Sequence, residues 1–174
     1  MRKKRLIYII LISLIATLIV ACNNPFAPSL ADGSSSDQII SDQKTVAGVF
    51  SNFCYAYNFK DTLVYSNLLD KDFTFTYYLD NGDKSSWDKQ MDIIKTNKLF
   101  QNAYKIELVW NDIWSELEYS EGETLMMNVN RRFTLTVYYS ATVYDYAFGN
   151  AFFKLRRFSA FDPWKIVYWD DQSV

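Results

Sequence analysis

Two residues of opposite charge occupy the apolar phase of two predicted neighbouring strands. Asp112 alternates in phase with Trp110, and Arg131 alternates in phase with Phe133. If the chain turns at Glu121 and Gly122, one antiparallel register places Asp112 opposite Arg131 and Trp110 opposite Phe133. Facing side chains lie about 5 Å apart at Cβ, within reach of an ion pair. Because a buried charge without a partner is costly, the pair predicts either a structural salt bridge or the polar floor of a ligand pocket.

Other residues that carry chemistry are few. The chain has no histidine, which excludes a histidine-based triad, histidine general-base catalysis and most zinc sites. We predict no metal site and no cofactor, and the sequence identifies no catalytic residue. Cys54 falls within an amphipathic helix pattern, where a buried small hydrophobe and a reactive thiol are the two interpretations.

The N-terminus combines a basic start, an apolar run and a cysteine. Residues 2–5 are all basic, and the run from Leu6 to Ala21 contains only Ser13 and Thr17 as polar residues. A bilayer-spanning helix needs about 20 apolar residues, so this run has the plan of a secretory signal. It ends in residues 18–22, Leu-Ile-Val-Ala-Cys, which resemble the cleavage site of bacterial lipoproteins.

This resemblance implies that residues 1–21 are removed as a signal peptide and that the sulfur of Cys22 receives a diacylglycerol. The new N-terminus would then be acylated, and two or more chains give stable attachment to a bilayer. We therefore expect the membrane as a partner through lipid on Cys22. The expected location is the bacterial cell envelope outside the cytoplasm, at the outer membrane if the source has one. An uncleaved anchor with an incidental cysteine is the alternative.

The remainder divides into a linker and one domain. Residues 22–37 are rich in Pro, Gly and Ser, which predicts a flexible linker behind the lipidated cysteine. Residues 38–174 are long enough for a single folded domain. Removing the four basic residues of the signal from a net charge of −2 leaves −6, which argues against nucleic acid as a partner. Aromatic residues make up 18% of the chain, which predicts an aromatic core or an aromatic-lined cavity.

Two helices are predicted at the start of the domain. The first runs from about Asp42 to Asn58 and carries an apolar stripe at helical spacing that includes Phe53 and Tyr57. A shorter helix follows from Asp61 to Leu69. The stripe places Tyr57 on the buried side of the first helix, where it is a candidate pocket residue together with the inward residues of the strands.

A third helix is predicted after the first strand. It begins after Ser85 or Ser86, because Ser85 with Asp88 resembles a capping box, and it ends near Gln101. Its predicted apolar face consists of Trp87, Met91, Ile94 and Leu99.

Alternation of apolar and polar residues predicts five strands. The second of them places Tyr104, Ile106, Leu108, Trp110 and Trp114 on one face. The predicted strands are Asp72 to Tyr78, Tyr104 to Leu117, Leu125 to Tyr139, Ala147 to Phe158 and Trp164 to Asp170.

The order helix, helix, strand, helix and four strands resembles that of the nuclear-transport-factor-2-like superfamily, which includes SnoaL-type polyketide cyclases and ketosteroid isomerases. The similar text lies in residues 55–61 and 68–75, and in the closing residues 164–170. The resemblance implies an α+β fold, a cone-like roll in which three N-terminal helices pack on a strongly bent, mostly antiparallel sheet. It also implies a cavity open at one end and allows a homodimer through the outer face of the sheet.

Three functions remain open, because a fold does not assign a role. The preferred one is a lipid-anchored, non-catalytic module that binds a small apolar or aromatic ligand or a partner, with Asp112, Arg131, Trp110, Phe133 and Tyr57 at its pocket. The second is a small-molecule isomerase, cyclase or hydrolase that uses the cavity. The third is a structural envelope lipoprotein with a filled interior. An acidic group deep in a cavity would favour the enzyme.

Overall fold

The computed structural model describes residues 40–173. The predicted signal peptide, Cys22, the linker and the domain boundary at Gln38 lie outside the described residues, as does the side chain of Trp114. None of the helices within residues 40–173 has the length and apolar content of a bilayer-spanning segment.

Helices α1 (Val46–Phe59) and α2 (Thr62–Leu68) open the fold. The hydroxyl of Thr45 accepts from the Gly48 amide at 3.0 Å and starts α1. The chain leaves α1 through Lys60, which has a left-handed backbone with φ 59°. The carboxylate of Asp61 then accepts from the Val64 amide at 2.9 Å and starts α2. These caps fix the direction of α1, whose inner face carries the predicted Phe53 and Tyr57.

A hairpin comes before the third helix, which corrects one prediction. Strand β1 (Leu69–Tyr78) pairs with a short strand β2 (Lys84–Asp88), and α3 (Lys89–Asn102) begins only after it. The predicted start after Ser85 is wrong, because residue 85 pairs with Tyr77 and the true cap is Asp88, whose carboxylate accepts from the Met91 amide at 2.9 Å. Trp87 therefore belongs to a strand, where its ring stacks on Phe75 at 4.5 Å.

The buried face of α3 also differs from the prediction. Met91 and Ile94 are exposed, whereas Asp92, Thr96 and Phe100 are buried at helical spacing. The helix can bury a carboxylate because neighbouring elements supply hydrogen-bond donors to it, as described below. Two polar residues of α3, Asp92 and Thr96, thus face the interior, and two of its apolar residues face solvent.

Four long strands complete a six-stranded sheet within the described residues. They are β3 (Lys105–Glu121), β4 (Thr124–Tyr138), β5 (Tyr144–Arg157) and β6 (Lys165–Ser173). The strand order is β2-β1-β6-β5-β4-β3, with β1 and β6 parallel and every other pair antiparallel. Helix α1 packs on β3, and α3 packs on β1 and β2. The predicted α+β fold class is confirmed, with β2 as one additional strand.

The β3–β4 hairpin agrees with the predicted register at one end only. Trp110 pairs with Phe133 as predicted, but Arg131 pairs with Ile113, and two register shifts lie between Trp110 and Ser115 on β3. A β-bulge adds an unpaired residue to one strand and turns the neighbouring side chains. Because the bulges take up residues around Asp112, the prediction that this residue faces Arg131 is wrong.

Close backbone packing brings the end of β6 against β5. Gly149 pairs with Ser173, and a Cβ on residue 149 would lie 2.6 Å from the Ser173 Cα. Such an approach is open to glycine only. Gly149 therefore allows the last residues of β6, which border the cavity described next, to extend alongside β5.

Candidate functional site

A cavity of about 230 Å³ lies between α1, α3 and the inner face of the sheet. We call it the aromatic cavity, because seven of its sixteen lining residues are aromatic. Its aromatic lining residues are Phe53, Tyr57, Phe75, Trp87, Trp110, Phe133 and Trp169. Its polar lining residues are Asp92, Lys95, Thr96, Asp171 and Ser173. The combination of a concave apolar wall and a few polar groups is typical of small-molecule sites.

Phe53 of α1 organises the aromatic wall. Its ring stacks on Tyr57 at 5.0 Å and meets Trp110 and Trp169 edge-on at 5.2 and 5.4 Å. It is fully buried, and it also meets the ring of Tyr65 edge-on at 5.5 Å. Edge-to-face contacts of this kind add to the free energy of burying each ring. These ring–ring contacts hold the aromatic wall in place without a ligand.

Asp92 of α3 is a buried carboxylate with two fixed donors. The hydroxyl of Tyr65 donates to one carboxylate oxygen at 2.5 Å, and the indole Nε1 of Trp87 donates to the other at 2.8 Å. Burial raises the pKa of Asp92, while these two hydrogen bonds oppose the rise. With a donor on each oxygen, Asp92 serves as a structural anchor between α2, β2 and α3.

Asp171 of β6 is the second carboxyl at the cavity, and it has fewer hydrogen-bond partners than Asp92 among the described residues. Its Oδ1 accepts from the Ser173 amide at 3.0 Å. Burial raises the pKa of Asp171, and the neighbouring charge of Asp170 raises it further. A partly buried carboxyl with a raised pKa and spare hydrogen-bonding capacity can bind a ligand donor or exchange a proton.

Indole N–H groups at the cavity fall into two kinds. Trp87 donates to Asp92, but the Nε1 atoms of Trp110 and Trp169 are buried without a hydrogen-bond partner among residues 40–173. The hydroxyl of Tyr57 is deeply enclosed, and burial together with the charge of Asp92 raises its pKa. Both unpaired Nε1 atoms are enclosed by packing, so the carboxyl of Asp171 is the polar group of the cavity with the most spare hydrogen-bonding capacity among the described residues.

The structure brings together three of the five predicted pocket residues. Tyr57, Trp110 and Phe133 line the aromatic cavity, and Asp112 and Arg131 do not. Asp112 is exposed on the bulged part of β3. Arg131 lies in a separate groove between α1 and β3 and has no carboxylate within ion-pair distance among the described residues.

We call this second region the Arg131 groove; it is lined by residues of α1 and β3 together with Arg131. The guanidinium lies 4.7 Å from the centre of the Phe50 ring, and its Nε donates to the Asn111 carbonyl at 3.1 Å. Burial lowers the pKa of Arg131. In the same groove the Cys54 thiol donates to the Leu108 carbonyl at 3.0 Å, and burial raises the pKa of this thiol, which favours the unreactive form.

Sequence reasoning missed three functional candidates of the cavity, which are Asp92, Trp169 and Asp171. A signal existed for two of them, because Trp169 and Asp171 are two residues apart on β6 and share a face. Asp92 shares a helix face with Thr96 and Phe100, but its donors come from α2 and β2, which only the fold brings near. Within residues 40–173 no group of three or more Cys, Asp and Glu side chains is arranged to hold a metal ion.

No protein-family model matches the sequence, and no curated protein matches it. Solved structures do match. A conserved protein from Planctomyces limnophilus aligns with a TM-score of 0.58 and 18% identity, over 74% of this chain and 93% of that one. An NTF2-like protein of unknown function in nutrient uptake from Rhodospirillum rubrum aligns with a TM-score of 0.53 and 19% identity, over 72% and 95%.

A third similar structure is a candidate scytalone dehydratase from Novosphingobium aromaticivorans. It aligns with a TM-score of 0.60 and 11% identity, over 74% of this chain and 81% of that one. At these identities the similarity concerns the fold alone. The chain therefore shares the α+β fold of these proteins, one of which is described as NTF2-like, and its site must be interpreted from its own residues.

Proposed function

We propose that this chain is a lipid-anchored envelope protein whose aromatic cavity binds a small, mostly apolar ligand. The observation that carries the proposal is the cavity itself, about 230 Å³ lined by seven aromatic side chains with a few polar side chains among them. A filled interior, which the structural alternative requires, would leave no such space. Asp92 is already hydrogen-bonded on both oxygens, so ligand binding rests on the aromatic wall and Asp171.

Native mass spectrometry of the full chain, purified from its envelope in mild detergent, tests ligand binding. We expect a carried ligand in the wild-type chain and its loss in Ala147→Trp, because Ala147 lines the cavity and an indole would fill it. Ala141→Trp is the matched control, since residue 141 is exposed in the turn before β5. Equal ligand occupancy in both variants would contradict binding in this cavity.

Attachment to the membrane is proposed on the sequence of residues 18–22. The sulfur of Cys22 would carry the lipid, and burial of acyl methylenes at about 0.8 kcal/mol each would hold the domain at the bilayer. Metabolic labelling with an alkyne fatty acid should mark the wild-type chain and leave Cys22→Ala unmarked. Retention of Cys22→Ala in washed membranes to the wild-type extent would contradict the anchor.

Acid–base catalysis on the bound ligand is the second candidate. The specific observation in its favour is Asp171, a partly buried carboxyl with a raised pKa at the cavity. The candidate dehydratase among the similar structures is compatible with this role and adds no weight at 11% identity. If the wild-type chain converts the carried ligand, Asp171→Asn should abolish the reaction but still bind the ligand. If the role is binding alone, neither the wild-type chain nor the variant should change the ligand chemically.

A homodimer through the outer face of the sheet is proposed as the assembly. Tyr144, Tyr146 and Phe148 of β5 are each more than half exposed and alternate along that face. A row of exposed aromatic side chains is a feature of protein interfaces. Sedimentation velocity of wild-type chain and Phe148→Lys should show a dimer that the substitution weakens. A monomer at every concentration of the wild-type chain would refute it.

A further inference from the structure

Two phenylalanines are exposed on the loop that connects β5 to β6. We call residues 158–163 the phenylalanine loop; Phe158 is 62% exposed and Phe161 is 86% exposed. A single exposed apolar side chain is common on protein surfaces, but two phenylalanine rings within six residues form a patch. Folding leaves both rings in water, so a surface that covers them gains the free energy of their burial.

Hydrogen bonds within the phenylalanine loop fix its shape. The Asp162 amide donates to the Ser159 carbonyl at 3.2 Å, and the Phe161 amide donates to the Ser159 hydroxyl at 3.3 Å. At the base of the loop, Nη1 of Arg157 donates to the Ala160 carbonyl at 3.4 Å. The loop is therefore ordered before it meets a partner, and docking costs less conformational entropy.

The N-terminal end of the domain lies beside this loop. The amide of Trp164, the residue after the loop, donates to the Gln43 carbonyl at 2.9 Å, and the Gln43 side chain donates to the Trp164 carbonyl at 3.1 Å. The side chain of Asn52 in α1 accepts from the Ser41 amide at 2.7 Å and donates to the Ser41 carbonyl at 2.9 Å. These contacts hold the point where the chain enters the domain against the base of the loop.

This entry point determines which end of the domain a lipid on Cys22 would hold near the bilayer. Residues 23–39 connect Cys22 to the first described residue. A flexible chain of that length, which the composition predicts, spans about 20–25 Å on average. The anchor would therefore keep the phenylalanine loop at a high effective concentration next to the membrane surface, where a weak interaction is enough for docking.

Another exposed phenylalanine marks the opposite end of the domain. Helix α1 starts beside the entry point and runs about 20 Å to Phe59, which is 69% exposed. There the Nζ of Lys60 donates to the Ala103 carbonyl at 3.0 Å. The next residue, Tyr104, donates its amide at 2.7 Å to Tyr138, which pairs with the first residue of β5. Phe59 and the phenylalanine loop thus lie at opposite ends of β5.

Charge at the phenylalanine loop does not favour an anionic surface. The only charged residue of the loop is Asp162, and the predicted mature chain is acidic overall. Phenylalanine is among the side chains that surface segments bury at the boundary between headgroups and acyl chains. Contact with a membrane would therefore depend on the two rings and would not require anionic lipid.

Resting on the lipid anchor proposed above, we propose that the phenylalanine loop docks on the bilayer to which Cys22 is attached. Phe158 and Phe161 insert at the boundary between headgroups and acyl chains. The lipid and the loop then contact the same surface at two points. The domain takes one orientation, with the loop toward the bilayer and Phe59 away from it.

Photocrosslinking of the full, lipidated chain tests this docking. p-Benzoylphenylalanine replaces Phe161 in one variant and Phe59 in the matched control, because both are exposed phenylalanines. Each chain is purified from the envelope, reconstituted into phosphatidylcholine vesicles, recovered by flotation and irradiated, and lipid adducts are quantified by mass spectrometry. We expect at least about fivefold more lipid adduct at position 161 than at position 59.

Removal of the second ring tests whether the two phenylalanines act together. Phe158→Ser should lower the lipid adduct at position 161 by about threefold, because one inserted ring is lost. Leu63→Ser is the control, since it removes a side chain that is 71% exposed on α2, next to the Phe59 end, and should leave the adduct unchanged. Both substitutions are on the surface, and far-ultraviolet circular dichroism checks that each variant is folded.

The outcomes separate docking from the anchor. A chain that floats with the vesicles but forms equal lipid adducts at positions 161 and 59 would overturn docking and keep the anchor. Crosslinks from position 161 to a second copy of the chain in place of lipid would assign the loop to a protein interface and would also overturn docking. Failure of the wild-type chain to float with the vesicles would overturn the anchor, and docking with it.

Discussion

Trp110 and Leu108 form a wall shared by two unlike regions, the aromatic cavity and the Arg131 groove. On the cavity side, the buried carboxylate of Asp92 has a donor on each oxygen. On the groove side, Arg131 has ring and carbonyl contacts but no acidic partner among the described residues. Strand pairing is regular up to Trp110 on the cavity wall, while the register shifts beyond it flank Ile113, which lines the groove. The difference teaches that unbroken strand register and a buried carboxylate with two hydrogen-bond donors, rather than the mere presence of charge, distinguish the cavity from the groove.

The largest effect should come from removing the central ring of the cavity wall. Phe53→Ala deletes contacts to Tyr57, Trp110 and Trp169 and should lower the free energy of unfolding by about 4 kcal/mol. On the groove side, Ile113→Ala removes a side chain that is 38% exposed and should cost less than about 1 kcal/mol. Urea denaturation monitored by circular dichroism measures both. Similar losses at the two positions would erase the distinction between the regions.

A second, smaller effect concerns the anchor at Asp92. Tyr65→Phe removes the 2.5 Å hydrogen bond to a buried carboxylate and should cost about 2 kcal/mol. It should also raise the pKa of Asp92 further, because the lost hydrogen bond holds that pKa down. Tyr138→Phe is the control, since its hydroxyl donates at 3.0 Å to Glu107, whose side chain is 45% exposed, and its loss should be smaller. Carboxyl NMR titration and urea denaturation report the two quantities, and an unchanged pKa of Asp92 would contradict the anchor.

A third effect depends on pH. The raised pKa of Asp171 means that the folded chain holds its proton to higher pH than the unfolded chain, whose value is near 3.8. Stability should therefore fall as pH rises from about 3.8 through the raised pKa, and it should stay lower above that pH. Asp171→Asn should flatten part of this fall and raise the melting temperature at pH 7. Asp92 contributes the remainder, because its pKa is raised as well.

Glu107→Gln supplies a control of opposite sign for this pH effect. The ammonium of Lys105 holds the pKa of Glu107 below its usual value of 4.5. Wild-type Glu107 thus adds stability as pH rises from its lowered pKa to about 4.5, and the glutamine variant should lose that gain. Differential scanning calorimetry from pH 3 to pH 8 follows both variants. The account of Asp171 would be wrong if its asparagine variant steepened the fall.

Much of the fold was predictable, because apolar periodicity is a local property of the chain. The stripe containing Phe53 and Tyr57 located α1, and coincidence of two apolar faces set the pairing of Trp110 with Phe133. The five residues of β2 gave too short a pattern, so Trp87 was assigned to a helix instead of a strand. Tyr57, Trp110 and Phe133 could be placed at a cavity for the same reason, since an inward apolar face borders any space it encloses.

What could not be predicted is where polar groups find partners across the fold. In the sequence, Asp92 is of a residue type that is usually exposed on a helix. Its burial is possible because Tyr65 and Trp87, which belong to other elements, donate hydrogen bonds that offset the loss of hydration. The bulges near Asp112 carry no glycine or other mark in the sequence, yet they decide which residue meets Arg131. Register can be inferred from apolar faces, but an inserted residue inside a strand cannot.

The smallest effect is expected at the charge pair that the sequence singled out. Asp112→Asn should change the free energy of unfolding by less than about 0.5 kcal/mol, because the residue is exposed and forms no ion pair with any residue from 40 to 173. Arg131→Leu should cost about 0.5–1 kcal/mol through its lost contact with Phe50. In a double-mutant cycle the coupling between the two substitutions should be near zero. A coupling of about 1 kcal/mol or more would show that the two residues interact after all. Loss of a carried ligand in either single variant would show that the groove takes part in ligand binding, and the contrast between groove and cavity would then fail.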